Sequence, residues 1–201
     1  MLSRITVVLS AVALLGAVSS ARADGPLGPV CEFPDISTMT AVPVETGASA
    51  PAGTGGDIPG GRWELIEIRH AAPSFITIVG EGTGALELEA DDPSSGYGSV
   101  ALDVELTQPS AEQINETGAG PYSATGTVLS VGNDCGDELL LGEAEYSVDT
   151  SGPDPVMILW GSIEVTDPFP TSIPIETRFQ LTEPAEVDDP VFADRFEQLQ
   201  N

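Results

Sequence analysis

Val100-Ala101-Leu102-Asp103-Val104-Glu105-Leu106 puts four aliphatic side chains on one parity and sets Ala101, Asp103 and Glu105 against them on the other. Successive side chains of an extended chain point to opposite faces, so this stretch reads as a half-buried strand, apolar side inward and acidic side in water. The zigzag recurs on either side of it. Leu86, Leu88 and Ala90 alternate with Glu87 and Glu89, and Ile175, Thr177, Phe179 and Leu181 alternate with Glu176, Arg178 and Gln180. Met157, Leu159, Gly161, Ile163 and Val165 share one parity as well. Weaker alternation marks residues 62–69, 75–79, 122–131 and 139–148.

Eight short strands result, separated by turn-rich joints such as Asp91-Asp92-Pro93-Ser94-Ser95-Gly96, with no amphipathic helix between them. The pattern predicts an all-β fold over residues 61–183. An antiparallel, eight-stranded up-and-down barrel is favoured over a β-sandwich, because closure removes exposed edges and a meander needs no long crossovers. The expected core is Trp63, Leu86, Leu88, Val100, Leu102, Val104, Leu106, Leu159, Ile163, Val165, Ile175, Phe179 and Leu181. Trp160 has outward parity and is expected to cap an end or meet a partner.

Residues 1–23 join Arg4, an apolar run from Ile5 to Val18 and the small-x-small site Ala21-Arg22-Ala23. That is the anatomy of a secretory signal peptide, shorter than a membrane span. The mature chain is then expected to begin at Asp24 and to work in the periplasm or outside the cell. Residues 24–60 are rich in Gly, Pro, Ala, Ser and Thr and carry few large apolar groups, so a disordered tail or linker is expected there. Residues 184–201 form an acidic C-terminal tail.

All six basic residues are arginines, against 32 carboxylates. The formal charge of −26 becomes −28 once Arg4 and Arg22 leave with the leader. Such a surface repels nucleic acid and anionic lipid, which need phosphate neutralisation by basic side chains. The acidity fits a saline habitat, weak collection of divalent cations, or a secreted protein kept soluble by self-repulsion. Without lysine there is no P-loop and no Schiff base, and the Gly53-Thr54-Gly55-Gly56 cluster is only pliant backbone. In an oxidising compartment, Cys31 and Cys135 most simply form one disulfide, with free thiols or a metal pair as alternatives.

Gly56-Gly-x-Ile-Pro-Gly-Gly-Arg-Trp-Glu-Leu, Cys135 before Tyr146-Ser147-Val148, and Ile175-Glu-Thr-Arg-Phe-Gln-Leu occur in an order that resembles secreted bacterial proteins of unknown function with lipocalin-like (calycin) barrels. The Gly61-Arg62-Trp63 start is similar to that of lipocalins proper. The resemblance implies that Trp63 packs across the closed end of the barrel. Val191-Phe192-Ala193-Asp194-Arg195-Phe196-Glu197 resembles a short Phe-Ala-Asp-Gly-Phe-Glu segment at the ends of exported Gram-negative proteins, with Arg195 in place of the glycine.

The catalytic inventory is thin. His70, the only histidine, has no Gly-x-Ser-x-Gly elbow to serve and reads as an ordinary strand-end residue. No zinc set is apparent. Asp91-Asp92, Asp134 with Asp137 and Glu138, and Asp188-Asp189 do not match a calcium loop. Glu87, Glu89, Asp103 and Glu105 fit a solvated face, and Asn115-Glu116-Thr117 is a formal glycosylation sequon.

The favoured reading is a non-enzymatic exported barrel, without cofactor, taking a small apolar or amphiphilic molecule in its mouth. Gly161, Ala90 and Gly126 are the small residues expected to leave room for it. A filled barrel serving as a structural or interaction module of the cell envelope is the alternative, and a carboxylate-dependent carbohydrate-active enzyme is the third reading. An internal cavity above about 300 Å³ separates the first from the second. The third needs two inward carboxylates about 5–10 Å apart.

Overall fold

Residues 31–109, 111–136, 143–165 and 171–185 are described by the computed structural model of the chain, and among them all regular structure is strand. The ten strands are β1 (Val42–Thr46), β2 (Gly61–His70), β3 (Val79–Asp92), β4 (Ser95–Gln108), β5 (Glu112–Thr125), β6 (Val128–Val131), β7 (Cys135–Gly136), β8 (Glu143–Asp149), β9 (Val156–Val165) and β10 (Thr171–Pro184). Residues 1–23, read above as a leader, Asp137, Glu138, Asp188, Asp189, most of the acidic C-terminal stretch and the side chain of Val165 lie outside the described residues.

The strands form one sheet whose pairings run β3-β2-β10-β9-β8-β6-β5-β4 and return to β3, so the hydrogen bonds make a closed ring. The long hairpins β3–β4 and β4–β5 supply one wall. The pairing of β2 with β10, from Gly61↔Pro184 to His70↔Ile175, joins the early part of the chain to the late part. Most inward side chains are apolar, and they form one continuous core cluster. Trp63, Phe179, Met157 and Ile58 are almost wholly inaccessible and occupy one end of it. There the inward Gly98 makes room: a Cβ on it would approach Leu88 to 2.7 Å and the Tyr122 ring to 3.5 Å.

Several expectations need correction. The described residues hold ten strands, against the eight expected, and the sheet is mixed, because β1 runs parallel to β2 over Val44–Thr46. β1 lies inside the stretch read as a tail. It wedges between β2 and β3, which pair directly only from Gly61↔Leu88 to Glu64↔Ala85. The splayed ends beyond that pairing expose backbone donors and acceptors that a short extended segment can satisfy, and composition does not report this. Residues 75–78 are a loop, and β3 begins at Val79. The stretch 122–131 is two strands joined by a turn at Gly126, whose φ of +63° suits glycine. Glu112–Gly120, which shows no clean alternation, belongs to β5.

After β1 the chain crosses the outer face of the ring as a strap. Gly47 N–H and Ala48 N–H donate to the His70 carbonyl at 2.9 and 3.1 Å. The strap then lies over a row of outward residues on three adjacent strands, Glu176, Trp160 and Glu145. Ser49 donates to Glu176 Oε2 from its N–H at 2.8 Å and from its hydroxyl at 2.5 Å, and Trp160 Nε1–H donates to Ser49 Oγ at 3.2 Å. Gly53 N–H reaches Glu145 Oε1 at 3.0 Å, and Gly55 bridges β8 beside Ser147. Trp160 is therefore outward and buried at once, covered by the chain's own strap.

Glu176 is fully inaccessible on this outer face. Burial raises its pKa, but the Ser49 hydrogen bonds and the Arg178 guanidinium outweigh burial and hold it below the ordinary carboxylate range. Its contribution to stability is present above the unfolded value and is lost as the pH falls through the folded one. Glu176→Ala leaves Ser49 without its acceptor and takes one carboxylate from Arg178. We expect a loss of about 3 kcal/mol in urea unfolding and a red shift in Trp160 fluorescence as the strap lifts.

Cys31 and Cys135 form a disulfide with their Cα atoms 6.1 Å apart, across a sequence separation of 104 residues. It ties the start of the described chain to β7, which pairs with β5. By the chain-entropy argument, Cys135→Ser lowers the free energy of unfolding by about 2–5 kcal/mol, read from denaturation with and without reductant.

Candidate functional site

The end of the ring away from Trp63 holds the candidate site. His70 closes β2, Val44 lies on the wedge strand β1, Leu102, Val104 and Leu106 come from β4, and Ile163 and Ile175 come from β9 and β10. They surround an apolar cavity of about 110 Å³. Residues 71–78 fold across its margin, held by Ala71 N–H to Pro174 O at 3.0 Å and Ile76 N–H to Pro73 O at 2.8 Å. Ile76 and Ile78 tuck under, with Ile78 in the cavity wall, while Phe75 stays 73% exposed. A smaller cavity of about 40 Å³ lies toward Tyr122, and Leu159 lines both. The larger cavity thus lies toward the His70 end and the smaller one toward the Trp63 end.

His70 faces this cavity because of a bulge in β2. Trp63 pairs with Leu181 and Leu65 with Phe179, and Glu67 then pairs with Arg178, so Ile66 is an extra residue. One extra residue reverses the parity of everything after it. Ile66 is left exposed, and Ile68 and His70 turn inward. The reversal has a trace in the sequence: Glu64 is charged on even parity, whereas Glu67 and Arg69 are charged on odd parity. His70 is a strand-end residue, as the sequence suggested, and the reversal of parity adds its place in the wall.

The imidazole of His70 is 2% exposed. Its Nδ1 accepts the Ala72 N–H at 3.1 Å, so the neutral ring carries its proton on Nε2. That Nε2 has no hydrogen-bond partner among the described residues. Burial lowers the pKa of the ring, which favours this neutral form.

The other expected site residues fall as follows. Leu86, Leu88, Val100, Val104, Leu106, Leu159, Phe179 and Leu181 are buried, and Leu102, Ile163 and Ile175 are half-buried against them. Gly161 lines the cavity, but Ala90 is exposed and Gly126 sits in the β5–β6 turn, so neither leaves room inside. Glu87, Glu89 and Glu105 are exposed, and Asp103 is half-buried. Asp92 is tied into its turn by Ser94 and Ser95, whose hydrogen bonds lower its pKa to about 2. Glu112 and Glu116 share the inward parity of β5 through Leu106 and Leu102, and burial raises the pKa of Glu112. The only carboxylate in the described cavity wall is Glu143. Among the described residues, no group of three or more His, Cys, Asp or Glu is placed to hold a metal ion.

The described arginines lie on the outer face. Arg62 pairs with Glu64 and Glu87 and donates to the Asp35 carbonyl, while Arg69 and Arg178 share Glu67. Among the described residues no helix is long and apolar enough to cross a membrane. No family model, curated protein or solved structure matches the chain.

A buried neutral imidazole has a definite pH signature. The unfolded chain takes up a proton near pH 6.5, its ordinary value, and the folded chain does so only at lower pH. The stability tied to His70 is therefore full above that value and falls as the pH drops below it. Acidification also relaxes carboxylate repulsion, so the measurement is a difference. Between pH 7 and 5.5 the urea midpoint of the wild type should fall relative to that of His70→Asn.

Proposed function

We propose that this chain is a non-enzymatic exported β-barrel of lipocalin-like kind that holds a small apolar or amphiphilic molecule in the cavity beside His70. The supporting observation is the cavity itself, about 110 Å³ and walled by aliphatic side chains from strands on opposite sides of the ring. Apolar cavities of similar size, about 150 Å³, stay dry and take up molecules such as benzene. The volume falls short of the roughly 300 Å³ set above as the mark of the ligand reading. That narrows the reading to an occupant of about five or six heavy atoms, or one that enters with one end only. The disulfide and the leader at residues 1–23 support export to an oxidising compartment.

The second reading is a filled module acting only through its surface. Leu159, which separates the two cavities, and the closely packed end around Trp63 favour it.

Cyclopentane distinguishes the two. Burial of five methylenes at about 0.8 kcal/mol each gives a dissociation constant on the order of 1 mM. Methyl NMR should show Ile68, Ile78, Leu102 and Val104 shifting with saturation, while Met157 and Leu181, which line neither cavity, stay in place. Leu102→Phe, which narrows the cavity, should weaken binding at least several-fold. Unmoved methyls in the folded wild type would reject the ligand reading in favour of the filled module.

A further inference from the structure

The cavity wall is hydrocarbon except at a few points, and the polar ones differ in kind. Thr177 Oγ1 donates to the Leu159 carbonyl and has its partner. Glu143 and Ser162 are exposed and lie at the cavity margin. His70 is different: it is buried, it lines the cavity, and its Nδ1 is held by the Ala72 N–H while Nε2–H has no partner among the described residues. Buried polar groups are nearly always hydrogen-bonded, so an unpartnered donor on a residue of the cavity wall points to an acceptor brought from outside.

We propose that His70 Nε2–H is the polar recognition element of this cavity, and that the ligand is a small uncharged amphiphile with a ketone, aldehyde or alcohol oxygen. The proposal rests on the ligand reading above. The oxygen accepts from Nε2–H, and the hydrocarbon part lies against Ile68, Ile78, Leu102 and Val104. A carboxylate ligand does not fit, because no arginine lines the described wall and the nearest carboxylate there, Glu143, would repel it. A purely hydrocarbon ligand fills the space but leaves the donor unmatched. The segment 71–78 joins both halves of the site: Ala72 orients the ring, and Ile78 covers the tail.

Because His70 is the only histidine of the chain, its ring signals are unambiguous in an imidazole NMR spectrum. Cyclopentanone and cyclopentane are the probes. They match in size and differ by one acceptor oxygen. His70→Asn keeps an acceptor near the Nδ1 position and removes the distal donor, whereas His70→Gln restores a donor near Nε2.

The expected result is that cyclopentanone shifts the Nε2–H resonance of the folded wild type and binds about 10-fold more weakly to His70→Asn. The ratio of cyclopentanone to cyclopentane affinity should fall about 10-fold in that variant, and His70→Gln should recover most of that ratio. If cyclopentanone moves the cavity methyls but leaves the imidazole signals in place, the role of His70 is overturned and the cavity reading stands. If neither probe moves the cavity methyls, both fall. The wild-type spectra decide this even if a variant fails to fold.

Discussion

The pairing of β2 with β10 is the contact on which the interior depends. It joins residues more than a hundred positions apart and completes the circuit of backbone hydrogen bonds. Without it the sheet would have two long open edges, and its apolar face would have nothing opposite to bury against. With it, a two-residue period alone suffices to make an inside. Aliphatic and aromatic groups from every wall meet there, and the carboxylates of β3 and β4 are left in water.

The strap is the second consequence of closure. A ring of strands has an outer face as well as a core, and here part of that face is not polar enough to stand alone, because Trp160 lies on it. The segment after β1 covers the indole and brings Ser49 to Glu176, so a buried carboxylate sits among donors instead of in hydrocarbon. The strap then takes the edge of β8 beyond the end of the β5–β6 hairpin, through Gly55 N–H to Tyr146 O and Val148 N–H to Gly55 O. A Cβ on Gly55 would collide with the Gly126 carbonyl, and its φ of +68° also favours glycine. A stretch that composition reads as slack is therefore held along its length by hydrogen bonds to four strands.

Packing differs between the two ends for a reason visible in side-chain size. Trp63, Phe179, Tyr122 and Tyr146 crowd one end, where inward glycines such as Gly98 give way to them. The other end is lined by single aliphatic groups from many strands, with Gly161 among them, and these do not meet across the gap. The cavity is what that imbalance leaves. His70 stands at its wall because the bulge at Ile66 turned the end of β2 over, and not because the residue is unusual in its local sequence.

Alternation in Leu86–Ala90, Val100–Leu106, Met157–Val165 and Ile175–Leu181 by itself determined the all-β character, the acidic exterior and most of the core, since the pleat ties parity to face. The two cysteines by themselves made a disulfide the simplest expectation. Only the tertiary structure decided the rest. β1 and the strap are ordered by backbone groups and outward side chains of distant strands, and no local pattern encodes that. The irregular start of β5 is strand because β4 offers it a full ladder of partners. The direction of His70 hangs on one uncounted residue, and parity arguments cannot survive an insertion that is visible only in the pairing register.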